Sequence, residues 1–138
     1  MNIALMAHDR KKELMVQFCI AYCGILSGHS ICATNTTGRL VSEATGLPIS
    51  LYLTGSQGGA QQIGARIVYN EIDLVLFFSD PAQRGTAMEQ LAEIGRLCDQ
   101  HNIPFAANAA TAEVLIQGLK RGDLDWRNIV NPKKTNRL

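Results

Sequence analysis

The chain has 138 residues, 46% of them apolar and 18% charged, with a net charge of +1. This length and composition predict one globular domain over residues 1–138. They exclude a disordered chain and give no basic field that would favour nucleic acid. No apolar run reaches the ~20 residues of a membrane helix, and Met1-Asn2-Ile3-Ala4-Leu5-Met6 lacks the basic and long apolar segments of a secretory leader. The expected setting is cytoplasmic, with neither nucleic acid nor membrane as partner.

Short apolar runs alternate with amphipathic ones along the chain. Ile3 to Ala7 reads as a strand, and Asp9 as the cap of a helix running to about Leu26, with Leu14, Met15, Phe18, Cys19 and Tyr22 on one face. Ser30 to Thr34 reads as a strand. Thr37 to Ala44 reads as a short helix, stopped by Gly46 and Pro48. Ile49 to Leu53 is a third strand, and Gly59 to Tyr69 a helix with Ile63, Ile67 and Val68 as its apolar stripe. Leu74-Val75-Leu76-Phe77-Phe78 is continuously apolar, as a strand covered on both faces should be. A helix over Ala87 to His101, a strand over Pro104 to Ala107 and a helix over Thr111 to Lys120 follow. The tail from Arg121 carries Trp126, Lys133, Lys134 and Arg137.

The predicted fold is therefore α/β: a three-layer sandwich with a five-stranded, mainly parallel sheet and helices on both faces. Ligands of such sheets bind beyond the carboxyl ends of the strands, where the strand order reverses. The polar and glycine-rich stretches fall there: Ala7-His8-Asp9, Thr34-Asn35-Thr36-Thr37-Gly38, Thr54-Gly55, Ser79-Asp80-Pro81 and Asn108. Hydroxyls at a strand-to-helix turn, first-turn amides and a nearby lysine, Lys12, are what a phosphate requires. The plainer reading of any one threonine is a helix cap; three such loops on one sheet edge favour a shared anion site. Cys19, Cys23, Cys32 and Cys98 make no CxxC pair, so they read as thiols of a reducing compartment. No metal site and no cofactor are expected.

On Ala7-His8-Asp9 with Lys12, Ala33 through Gly38, Gly55 through Gly64, Phe77 through Pro81 and Asn102 through Asn108, the chain resembles the methylglyoxal synthase family, from Ile3 to about Lys120. The same module also looks like the regulatory domain of carbamoyl phosphate synthetase and the cyclohydrolase domain of a bifunctional purine enzyme. The resemblance implies conversion of dihydroxyacetone phosphate to methylglyoxal and phosphate. A base removes a carbon-bound proton beside the ketone, an enediolate forms and phosphate is eliminated. It implies His8 as a donor to substrate oxygens with Asp9 beside it, and Lys12, Thr34, Asn35, Thr36, Thr37, Thr54 and Gly55 as the phosphate cradle. It also implies a homo-oligomer, a hexamer, with a basic residue near the chain's end approaching a neighbouring site.

The departures from the family pattern are as telling. The family has Gly-Gly-Asp where this chain has Gly58-Gly59-Ala60, and that aspartate is its base. Its later histidine and aspartate fall at Ala87 and Gln90, neither of which can act as acid or base. Asn35 replaces a glycine, and Ser56-Gln57 a small-and-apolar pair. Three lost ionisable positions read as divergence. Asp9, Asp80 and Glu89 are the carboxylates left near the sheet edge as candidate replacements, Asp80 also being a natural turn residue before Pro81. Two functions follow: a synthase-type lyase with impaired catalysis, or a non-catalytic module binding phosphate or a phosphorylated metabolite.

Overall fold

The computed structural model describes residues 1–130. Five strands, β1 (Asn2–Ala7), β2 (Ser30–Ala33), β3 (Ile49–Leu51), β4 (Leu74–Phe78) and β5 (Phe105–Ala106), form one sheet in the order β3-β2-β1-β4-β5. Every pairing is parallel, with Ile3 opposite both Ile31 and Leu74. The chain builds outward from β1 through β2 to β3, then returns to lay β4 and β5 on the other side. The order therefore reverses between β1 and β4, which makes the carboxyl ends of those two strands the expected ligand position.

Helices cover both faces: α1 (Lys12–Ala21), α2 (Cys23–Leu26), α3 (Asn35–Thr45), α4 (Gly59–Val68), α5 (Thr86–Gln100), α6 (Ala109–Arg121) and α7 (Trp126–Val130). The alternation of β1 separates two cores. Ile3, Leu5 and Ala7 pack against Met15, Phe18, Val41 and Ile116, while Ala4 and Met6 pack against Ile63, Ile67, Ile94 and Cys98. Side chains of a strand point alternately to opposite faces, so this is the three-layer sandwich that the alternating pattern implies. β4 is buried along its whole length.

Several elements differ from expectation. The first helix is not continuous: it opens as a 3-10 turn over Asp9–Lys11, breaks at Tyr22 (φ −109°, ψ 21°) and rewinds as α2. Gly24 weakens this last turn, and buried Leu26 anchors it. Asp9 does not cap. His8 occupies the position before the turn, and the Asp9 side chain is 94% exposed, 3.4 Å from Lys12 Nζ. Val68 leaves the apolar stripe of α4 and is 49% exposed, whereas Ile63 and Ile67 are fully buried. The helix α7 was unforeseen, because five residues are too few to show a period. Lys133, Lys134 and Arg137 lie outside the described residues.

The described residues contain no helix long and apolar enough to cross a membrane, no cluster of three metal-ligating side chains and four free cysteines. Burial pushes the Cys19 and Cys98 thiols up to about 12, so both are inert thiols of the core.

Candidate functional site: a cavity beyond β1 and β4

Three strand-to-helix turns at this sheet edge share one backbone shape. His8 (−64°, 156°), Thr34 (−64°, 153°) and Thr54 (−63°, 158°) each leave a strand segment in an extended conformation and start a helical turn, and none makes a side-chain cap hydrogen bond. The plain helix-cap role is thus absent at all three. At α3 the first-turn amides of Thr36 and Thr37 have no intrahelical acceptor, and Asn35 N–H is taken by the Leu53 carbonyl at 3.2 Å.

These turns surround a cavity of about 240 Å³ whose wall includes His8, Asp9, Lys12, Thr34, Gly55 and Ala60. Gln90, Phe77, Ser56, Gln83 and Thr86 complete the polar and aromatic part of it, and Ala87 adds a methyl group. His8 spans the point where strand order reverses: its N–H donates to the Phe78 carbonyl at 3.0 Å, and its Nδ1 accepts the Asp80 N–H at 2.8 Å. Since Nδ1 accepts, the ring proton belongs on Nε2, which lies 3.2 Å from the Ala87 carbonyl oxygen. An edge-on contact with Phe77, centroids 5.3 Å apart, holds the ring. The outcome is a fixed N–H donor at the cavity.

Lys12 is the cavity's cation. Its Nζ donates to the Ala7 carbonyl (2.5 Å) and Thr37 Oγ1 (3.2 Å), and pairs with Asp9. Burial lowers the Lys12 ammonium below the ordinary lysine range, with Asp9 opposing that shift. An arriving anion would also favour the charged form. Gln90 Nε2 donates to the Gly55 carbonyl at 2.9 Å, tying α5 to the loop after β3.

The glycine loop is fixed by close approach. A Cβ at Gly59 would lie 1.9 Å from the Leu53 carbonyl oxygen and 2.9 Å from that of Thr54, and the preceding Gly58 has φ 109°. Gly59→Ala is expected to destabilise the protein by about 1–3 kcal/mol, because backbone must move to admit the methyl group. Urea unfolding measures this; a loss under about 0.5 kcal/mol, the range of ordinary surface changes, would contradict it.

Not every residue singled out from the sequence reaches the cavity wall. His8, Asp9, Lys12, Thr34 and Gly55 line it; Asn35, Thr36, Thr37, Thr54 and Asp80 do not. Thr37 is buried and positions Lys12. Thr54 Oγ1 lies 3.4 Å from Ser56 Oγ. Asp80 Oδ1 accepts the Ala82 N–H at 3.0 Å, so its carboxylate shapes the turn while its own N–H orients His8. Glu89 lines a neighbouring groove instead. Gln83 and Thr86 were not singled out in the sequence, and Phe77 reads there as a residue of the buried strand and of the family pattern, not of the site. Gly85-Thr86, a left-handed glycine (φ 64°) followed by the first residue of α5, was the available signal for Thr86.

With this geometry in hand, the comparisons with known proteins agree. The family model described as an MGS-like domain matches residues 15–107. The methylglyoxal synthase of Caldicellulosiruptor saccharolyticus is 60% identical over 133 residues, covering 96% of this chain and 94% of that protein. The methylglyoxal synthase of Oceanobacillus iheyensis is 49% identical over 134 residues, covering 97% and 96%. Among solved structures, the crystal structure of methylglyoxal synthase from Elizabethkingia anophelis NUHP1 superposes with a TM-score of 0.75 at 36% identity, over 83% of this chain and 76% of that one. By sequence and by fold alike, the chain belongs to the methylglyoxal synthase family.

Proposed function

We propose that this chain binds a triose phosphate, or phosphate itself, in the cavity beyond β1 and β4, and that its conversion of dihydroxyacetone phosphate to methylglyoxal and phosphate is impaired. One observation carries this reading: Ala60, Ala87 and Gln90 stand in the same cavity wall as His8, Lys12 and Thr34. The resemblance expects an aspartate base, a histidine and an aspartate at those three places. The methyl groups of Ala60 and Ala87 and the neutral amide of Gln90 cannot move a proton. What remains is a binding apparatus. Lys12 supplies the charge and Thr34 a hydroxyl, while the His8 Nε2–H would exchange its bond to the Ala87 carbonyl for one to a ketone oxygen.

A second reading rests on Asp9, the one carboxylate in the described cavity wall. It makes the protein a divergent lyase that takes its proton onto Asp9. Its solvated position and its pairing with Lys12 favour the binding role.

The same resemblance supports a homo-oligomer, a hexamer, with Trp126 and the basic tail at its contacts. It supports a cytoplasmic location, where free thiols persist, and a role without cofactor, nucleic acid or membrane.

Inorganic phosphate is expected to raise the melting temperature, since a ligand of the native state stabilises it. Lys12→Met is expected to remove most of that shift. An unchanged melting temperature at millimolar phosphate would show the cradle to be broken. Methylglyoxal formation that persists through purification and disappears in His8→Ala would instead establish the lyase reading.

A further inference from the structure

We infer that the anion cavity is the head of a longer site, and that its ligand is a phosphate monoester with a neutral apolar chain of several carbons lying between α4 and α5. This rests on the anion-binding reading above and narrows its substrate class. A groove of about 550 Å³ runs between the two helices, and Ala60, Thr86 and Gln90 line both it and the anion cavity. The two spaces therefore adjoin at the place where the family pattern expects ionisable side chains. With Ala60 and Gln90 there instead, neither of these two positions puts a charge between the phosphate position and the groove.

The groove's wall carries apolar and acidic side chains. Ile94 and Leu97 of α5 face Gly64 and Val68 of α4. Val68 is 49% exposed, whereas Ile63 and Ile67 of the same helix are fully buried, so it presents apolar surface to this space. Gly64 lets Leu97 pack close against α4, since a Cβ there would come within 3.2 Å of Leu97 Cδ1. Glu93 of the groove wall is held by Arg96 at 2.9 Å, and Glu89 is a second carboxylate of the same wall. Both would repel a second anionic group, so the chain carries its phosphate at one end only. Thr34, 7% exposed and free of any cap bond, lines the cavity at which that phosphate would be held.

Calorimetric titration of the whole protein with inorganic phosphate, methyl phosphate, n-hexyl phosphate and hexan-1-ol tests this. Each fully buried methylene strengthens binding by about fourfold. Hexyl phosphate, with its chain partly buried, is therefore expected to bind at least about tenfold more tightly than methyl phosphate. Hexan-1-ol alone is expected to bind far more weakly. Ala65→Trp and Val68→Lys change groove residues that do not line the anion cavity. Each should abolish the gain for hexyl phosphate while leaving inorganic phosphate unaffected. Equal affinity for methyl and hexyl phosphate, with inorganic phosphate still binding, would overturn the groove and leave the anion site standing. A gain that survives both variants would overturn the placement of the chain. If no phosphate binds at all, both readings fall.

Discussion

Arg127→Ala is expected to destabilise the protein by about 3–5 kcal/mol, the effect of removing one partner of a buried ion pair. Arg127 is 2% exposed and Asp73 1%. Arg127 Nε donates to Asp73 Oδ1 at 3.3 Å, and its other nitrogens reach the carbonyls of Asn102 (2.6 Å) and Ile72 (3.4 Å). Asp73 Oδ2 accepts the Asn2 N–H at 2.7 Å. One side chain of α7 thus fastens the entries to β1, β4 and β5. Urea unfolding of the variant measures the effect, and a loss below about 1 kcal/mol, the ordinary worth of an exposed pair, would contradict it. This cluster lies at the amino ends of the strands, away from the cavity, so phosphate binding by the folded variant should persist.

Ala60→Asp is expected to raise turnover of dihydroxyacetone phosphate by roughly 100-fold to 10,000-fold, the usual contribution of a general base. Ala60 is 5% exposed in the wall of the anion cavity, so the introduced carboxylate would be largely desolvated, which raises its basicity. Lys12 lines the same cavity and would temper that rise. Adding Ala87→His and Gln90→Asp need not multiply the gain, because groups that act together are not additive. Gln90→Asp also gives up the bond to Gly55. Methylglyoxal and phosphate release are followed together, with phosphate-induced stabilisation as the check that the cavity is intact. No gain in either the single or the triple variant, in protein that phosphate still stabilises, would sink the proposal that only proton-transfer groups were lost.

The sheet and the polar turns at the carboxyl ends of its strands were legible because their signals are local. A continuous apolar run such as Leu74 to Phe78 marks a strand covered on both faces. The His8, Thr34 and Thr54 turns announced themselves by residue type at strand ends. Which hydroxyls reach the cavity was not legible. Thr34, extended and just before α3, lines the wall, while Thr37 inside the helix is buried and holds Lys12, and residue type does not reveal that division. Asp9 resembled a cap by type, but the tight first turn put His8 in the capping place.

Local sequence alone determined the parallel α/β alternation, the polar and glycine-rich turns at the carboxyl ends of the strands and the absence of ionisable groups at Ala60, Ala87 and Gln90, since residue type and period depend only on near neighbours. Tertiary structure decided the rest. It brought those three residues into one wall with His8 and Lys12, fixed the His8 ring through Asp80, opened the groove beside Val68 and closed the buried Arg127–Asp73 pair. Each joins residues distant along the chain, and only the packing of helices on the sheet sets which of them meet.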